Sequence, residues 1–147
     1  MFVHKFTKKK QIISFFTLVS RIVNADGEMS DIEQKALSAY SLELRFNKLL
    51  KKSLLNESRL SKLTDDGKQI DEILTPFLES SDAVKKSLIF ELIAVAICDS
   101  KYSEVERDLV QTIADALTIN NKVLKSMEFI LDTLHNFSIQ AELVVGE

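Results

Sequence analysis

The chain is 147 residues long, 46% apolar and 28% charged, with three glycines, one proline and one cysteine. That length suits one domain with a real core, the composition excludes a disordered chain, and the scarcity of Gly and Pro argues against a many-stranded protein. The net charge of −3 hides an uneven distribution: +6 over residues 1–62, −4 over 63–98 and −5 over 99–147.

From the N-terminus, residues 5–24 set Phe6, Ile12, Phe15, Phe16, Val19 and Ile22 on a broad helical stripe, with Gly27 as a left-handed stop just beyond it. Ser30 opens a second helix, because Ser30-Asp31-Ile32-Glu33 is a capping box in which hydroxyl and carboxylate satisfy helix-start amides. A third helix is expected from Asn47 to about Asn56, with Leu49, Leu50, Leu54 and Leu55 inside. A fourth runs from about Thr64 toward Leu74. Pro76 disfavours helix at Thr75, so Phe77 and Leu78 are expected in a short new turn. Ser81-Asp82 starts the fifth, whose stretch SLIFELIAVAIC is apolar on nearly every side and marks a central buried helix. Ser103-Glu104-Val105-Glu106 repeats the capping box and starts a sixth helix. Asn120 or Asn121 caps a seventh, through Leu124, Met127, Ile130, Leu131 and Leu134. The last dozen residues show no strong pattern.

These elements predict an all-α, single-domain bundle of about seven helices over residues 1–147. Two pseudo-symmetric helical hairpins would bury helices 5–24 and 83–98 against each other. Lys5 and Lys8 to Lys10, followed by IISFFTLV and then Val23-Asn24-Ala25, imitate a secretory signal. Cleavage after Ala25 would remove the partner of the 83–98 helix, and no apolar run approaches a membrane span. The expectation is a soluble cytoplasmic protein. Cys98, alone and at the repeat position of Ala25, reads as a core thiol in a reducing compartment.

The two capping boxes belong to a larger repeat. NADGEMSDIE, residues 24–33, and ICDSKYSEVE, residues 97–106, match at a constant offset of 73 residues. The offset aligns Asp26 with Asp99, Ser30 with Ser103 and Glu33 with Glu106. Each Asp leaves a buried helix and each Glu sits in the first turn of the next, so the pair can converge on one short loop. Carboxylates, carbonyls and a hydroxyl are hard oxygen donors suited to Ca²⁺, Mg²⁺ or Mn²⁺ and not to zinc. The spacing is too short for an EF-hand loop. The local alternative is that Asp accepts loop amides, the boxes cap helices, and Asp31 and Glu104 sit on the positive ends of helix dipoles.

VSRIVNADGEMSDIEQKAL and IAVAICDSKYSEVERDLVQTIADALTI resemble the two signature halves of the TerB-like, tellurite-resistance family. Ala25-Asp26-Gly27 and Glu33 fit the first half; in the second, Cys98 and Ser100 replace the Ala and Gly beside Asp99 and Glu106. ALTI at 116–119 is similar to the family's ALGL-like ending. The resemblance implies an all-helical pseudo-symmetric fold, acidic residues that bind divalent metal (Asp26, Glu33, Asp99 and Glu106 here), and a non-enzymatic binding role in stress or tellurite-resistance systems near membrane complexes.

Little other chemistry is legible. His4 lies in a basic, mobile terminus and His135 near the end of the last helix; with two His and one Cys, a catalytic triad or zinc site is not expected. Phe15, Phe16, Phe77, Phe90, Tyr102 and Phe129 read as core or loop anchors. The basic stretch 45–62 lacks interleaved aromatics, which argues against nucleic acid. A protein partner is the expectation, with docking of the basic N-terminal third on a membrane surface as a further one. The competing function is a scaffold domain without metal, in which the acidic residues only cap helices. Oligomeric state is not legible.

Overall fold

The computed structural model describes residues 2–25, 68–98 and 102–146. Among them are a 3-10 turn, Val3–Lys5, and five α-helices: α1 Lys9–Val23, α2 Ile70–Leu78, α3 Asp82–Ile97, α4 Glu104–Ala116 and α5 Asn121–Val145. No strand occurs among the described residues, so the all-α expectation holds. The helices expected after Ser30 and at 47–56 lie outside the described residues, as do Thr64 to Gly67, and the five described helices answer to the other five of the seven expected.

α3 is the hub. It packs against the 3-10 turn and against all four other helices. Its residues Leu88, Ile89, Leu92 and Ile93 are fully buried, and Val95, Ala96 and Ile97 nearly so. Each such side chain contributes roughly 1.5–3 kcal/mol by leaving water, so a helix apolar all round is stable only at the centre. The expected contact of the first apolar helix with the 83–98 helix is present as α1 on α3. Ser81 caps α3 as anticipated, its Oγ accepting from the Val84 N–H at 3.4 Å.

The N-terminal segment is anchored instead of mobile. Val3 and Phe6 are fully buried, and the Phe2 N–H donates to Oε1 of the buried Glu91 at 2.6 Å. His4 stands exposed on this turn. Phe6 meets the Phe15 ring at 5.2 Å and the Phe77 ring edge-on at 5.5 Å, tying the turn to α1 and α2. Gln11 closes the start of α1: its Oε1 accepts from the Lys8 N–H at 3.1 Å and its Nε2 donates to Ser80 Oγ at 2.9 Å.

Expectations about two helix ends and one side chain are corrected. First, no break occurs at Thr75; α2 runs through Pro76 to Leu78. Ile73, Leu74 and Phe77 form one buried face of a single helix, and that burial outweighs the missing Pro76 donor. Second, α5 continues to Val145, where Gly146 closes it in the left-handed region at φ 81°. His135 is therefore mid-helix, not at a helix end. Third, Phe129 is 71% exposed, so it is not a core residue. Cys98 is half-buried, at the rim of the core instead of inside it.

The end of α4 explains the resemblance at 116–119. The Ile119 N–H donates to the Ala114 carbonyl at 2.9 Å and the Thr118 N–H to the Asp115 carbonyl at 3.1 Å. This is a Schellman closure, which needs a left-handed residue, and Thr118 takes that place at φ 58°. A glycine would meet the same requirement without a Cβ clash.

Candidate functional site

Of the four repeat carboxylates, Glu106 is described; Asp26, Glu33 and Asp99 lie outside the described residues. Ser103 and Glu106 are positioned by the start of α4. Ser103 has extended backbone, φ −68° and ψ 161°, and its hydroxyl accepts from the Glu106 N–H at 3.2 Å. This is the serine half of the expected capping box. Glu106 itself is 1% exposed, a carboxylate shut into the first turn of a helix. The positive end of the α4 dipole lies at this turn and favours negative charge there.

Around this turn stands a charged cluster that the repeat pattern did not disclose. The Arg107 guanidinium lies 4.2 Å from the centre of the Tyr102 ring. Its Nη1 donates to Glu128 Oε2 at 2.7 Å, and Lys125 Nζ is 3.4 Å from Glu128 Oε1. Glu128 is buried on the inner side of α5, so the pair couples the start of α4 to α5. Burial, followed by the negative charge of Glu128, holds the Tyr102 hydroxyl protonated well above its ordinary value. One signal was available beforehand: Glu128 alone stands where a core-facing helix normally carries carbon, between Leu124 and Leu131 on the inner side of α5, whereas Arg107 is on an exposed position of α4.

A cavity of about 480 Å³ opens at the exit of α1, lined by Ser20, Arg21, Asn24, Ala25, Lys68, Gln69 and Leu109. The Arg21 guanidinium donates to the Lys68 carbonyl across it. It adjoins Ala25, the residue before Asp26. Among the described residues, no group of three or more His, Cys, Asp or Glu side chains converges as a metal site. Glu106 fits a hard cation by donor chemistry, and its fit by geometry depends on carboxylates outside the described residues.

The family model for tellurite resistance protein TerB matches residues 11–128. The chain belongs to the TerB family. Comparison with curated proteins and with solved structures returns no significant match. The TerB match runs from the first turn of α1 into α5, taking in both halves of the repeat and the charged cluster on α4 and α5. No helix among the described residues is long and apolar enough to cross a membrane.

Proposed function

We propose that this TerB-family protein is a non-enzymatic helical binding module of a stress or tellurite-resistance system, acting in the cytoplasm. Its ligand is a divalent cation, Ca²⁺, Mg²⁺ or Mn²⁺, or a protein partner that engages the same acidic groups. Asp26 with Glu33 forms one corner and Asp99 with Glu106 the other. The observation that supports this reading is the burial of Glu106 in the first turn of α4. A carboxylate removed from water is costly unless fixed dipoles, hydrogen bonds or a cation meet it. The repeat places a second carboxylate, Asp99, seven residues earlier in the chain.

Thermal melting with EDTA and with each cation tests the proposal. A ligand at a hundredfold its Kd stabilises a fold by about 2.7 kcal/mol. The native protein should gain that increment and the Asp26→Asn protein should lose part of it. Melting curves that ignore every cation in both proteins would remove the metal reading.

The competing reading is a scaffold in which the acidic residues only cap helices. Its support is the 3.2 Å bond from the Glu106 N–H to Ser103 Oγ, a sufficient local reason for the Ser-x-x-Glu spacing. Under it, the basic segment around Lys48, Lys51 and Lys52 docks a protein partner, and reversing those charges abolishes capture while the melts stay cation-independent.

A further inference from the structure

From Gln11 to Ile22 most of α1 is buried, whereas Lys8, Lys9 and Lys10 at its start are exposed. Three successive residues advance only about 3 Å along a helix axis, so these ammonium groups gather at one end of the molecule. α3 starts at the same end: Gln11 Nε2 donates to Ser80 Oγ at 2.9 Å, one residue before the Ser81 cap. Its opening turns add the exposed Lys86. Lys5 and His4 join from the 3-10 turn, where the Phe2 ring meets the ring of Phe90, one helical turn after Lys86, at 5.1 Å.

Two observations set this pole apart from ordinary solvated charge. Lys8 to Lys10 stand at the positive end of the α1 dipole, with no acidic residue in the first turn, where cations are unfavourable. Glu79 and Asp82 are exposed around Ser80 and Ser81, yet none of Lys5, Lys8, Lys9, Lys10 and Lys86 is ion-paired among the described residues. The framework that presents them is packed: Val3 and Phe6 are fully buried, and the Phe2 N–H is held by Glu91. Residues 2–10 precede the TerB match at 11–128, so most of the cluster belongs to this chain and not to the family pattern.

The side chains themselves narrow the choice of anionic partner. Nucleic-acid sites favour arginine forks and open aromatic faces on which bases stack. Here every permanent cation is a lysine, a compact point charge, and Phe2 already packs on Phe90. Lipid headgroups ask only for a cluster of basic residues at the surface, and an aromatic ring suits the same boundary. Charge along the chain sets the orientation. The first 25 residues carry four Lys, one Arg and no acid, so +5 is offset by −8 over the rest to give the net −3. An anionic surface therefore attracts this pole and repels the remainder. We infer that the pole docks the protein on an anionic phospholipid bilayer, with Lys5, Lys8, Lys9, Lys10 and Lys86 toward the headgroups.

Co-sedimentation of the full chain with lipid vesicles tests this directly. The protein should pellet with vesicles containing phosphatidylglycerol, remain in solution with pure phosphatidylcholine, and be released by high salt. A lysine near an anionic surface strengthens binding roughly fivefold, so replacing Lys8, Lys9 and Lys10 together by Gln should weaken it roughly a hundredfold. That variant should melt no lower than the native protein, because it removes cations from a positive helix end. Lys86→Gln, on a different helix, should weaken binding roughly fivefold on its own. Absence of the native protein from the phosphatidylglycerol pellet would overturn the inference, as would equal binding to both vesicle types or binding indifferent to these substitutions. Tighter binding to duplex DNA or to RNA than to the anionic vesicles would assign the pole to nucleic acid instead.

Discussion

At Thr118 a β-branched residue sits at φ 58° because the Schellman closure of α4 demands a left-handed residue there. The left-handed region costs an ordinary L-residue roughly 1–2 kcal/mol. Thr118→Gly should therefore stabilise the protein by about 1 kcal/mol, offset in part by glycine's greater freedom in the unfolded chain, and raise the melting temperature by roughly 3 °C. A lower melting temperature would mean that the threonine side chain contributes more than its strain costs. Tyr102 supplies a pH signature. Its hydroxyl is held protonated above the ordinary value of 10.0, by burial first and by Glu128 second. The unfolded chain releases that proton near the ordinary value and the folded chain does not. This contribution to stability is thus complete below about pH 10 and is lost progressively as pH rises beyond it. Tyr102→Phe should flatten the alkaline limb of the stability profile; an unchanged limb would show that other groups govern it.

Helix by helix, the caps were the most legible feature. Ser81, Ser103 and Asn120 each start a helix with the side-chain oxygen accepting a backbone N–H. A short polar side chain before an apolar run has few other conformations that satisfy the helix-start amides. Helix ends were less legible, for two separate reasons. At Pro76 the local rule for proline yields to tertiary burial of Ile73, Leu74 and Phe77. Along residues 136–145 Ile139 is half-buried while Phe137, Leu143, Val144 and Val145 are exposed, so the pattern that marks a packed helix is weak although the helix forms. The proline remains costly: it withholds a donor from the Glu72 carbonyl, an interior cost of roughly 3 kcal/mol in a long helix. Near the end of the nine-residue α2, Pro76→Ala should recover about 1–2 kcal/mol, measured by urea unfolding at unchanged slope. A loss of stability would show that the ring itself fills space no alanine can.

Over the whole molecule, an all-helical fold with α1 against α3 was readable from periodicity alone, since a helix apolar on every side has to be central. Membership of the TerB family was readable from two short acidic motifs in the right order, and the match over residues 11–128 establishes it. The charged cluster was not readable. Arg107 and Glu128 are 21 residues apart on different helices, and no spacing rule pairs them before the helices are packed. Glu106 could be named from its motif, yet its burial is a property of how α4 meets the body.

The acidic corners carry the functional account, and calorimetric titration with Ca²⁺, Mg²⁺ and Mn²⁺ tests them most directly because it counts sites as well as heat. If each corner holds a cation, the native chain should take up one ion per corner, and Asp26→Asn and Asp99→Asn should each abolish one site and spare the other. The absence of binding heat with all three ions, or a stoichiometry indifferent to both substitutions, would contradict it.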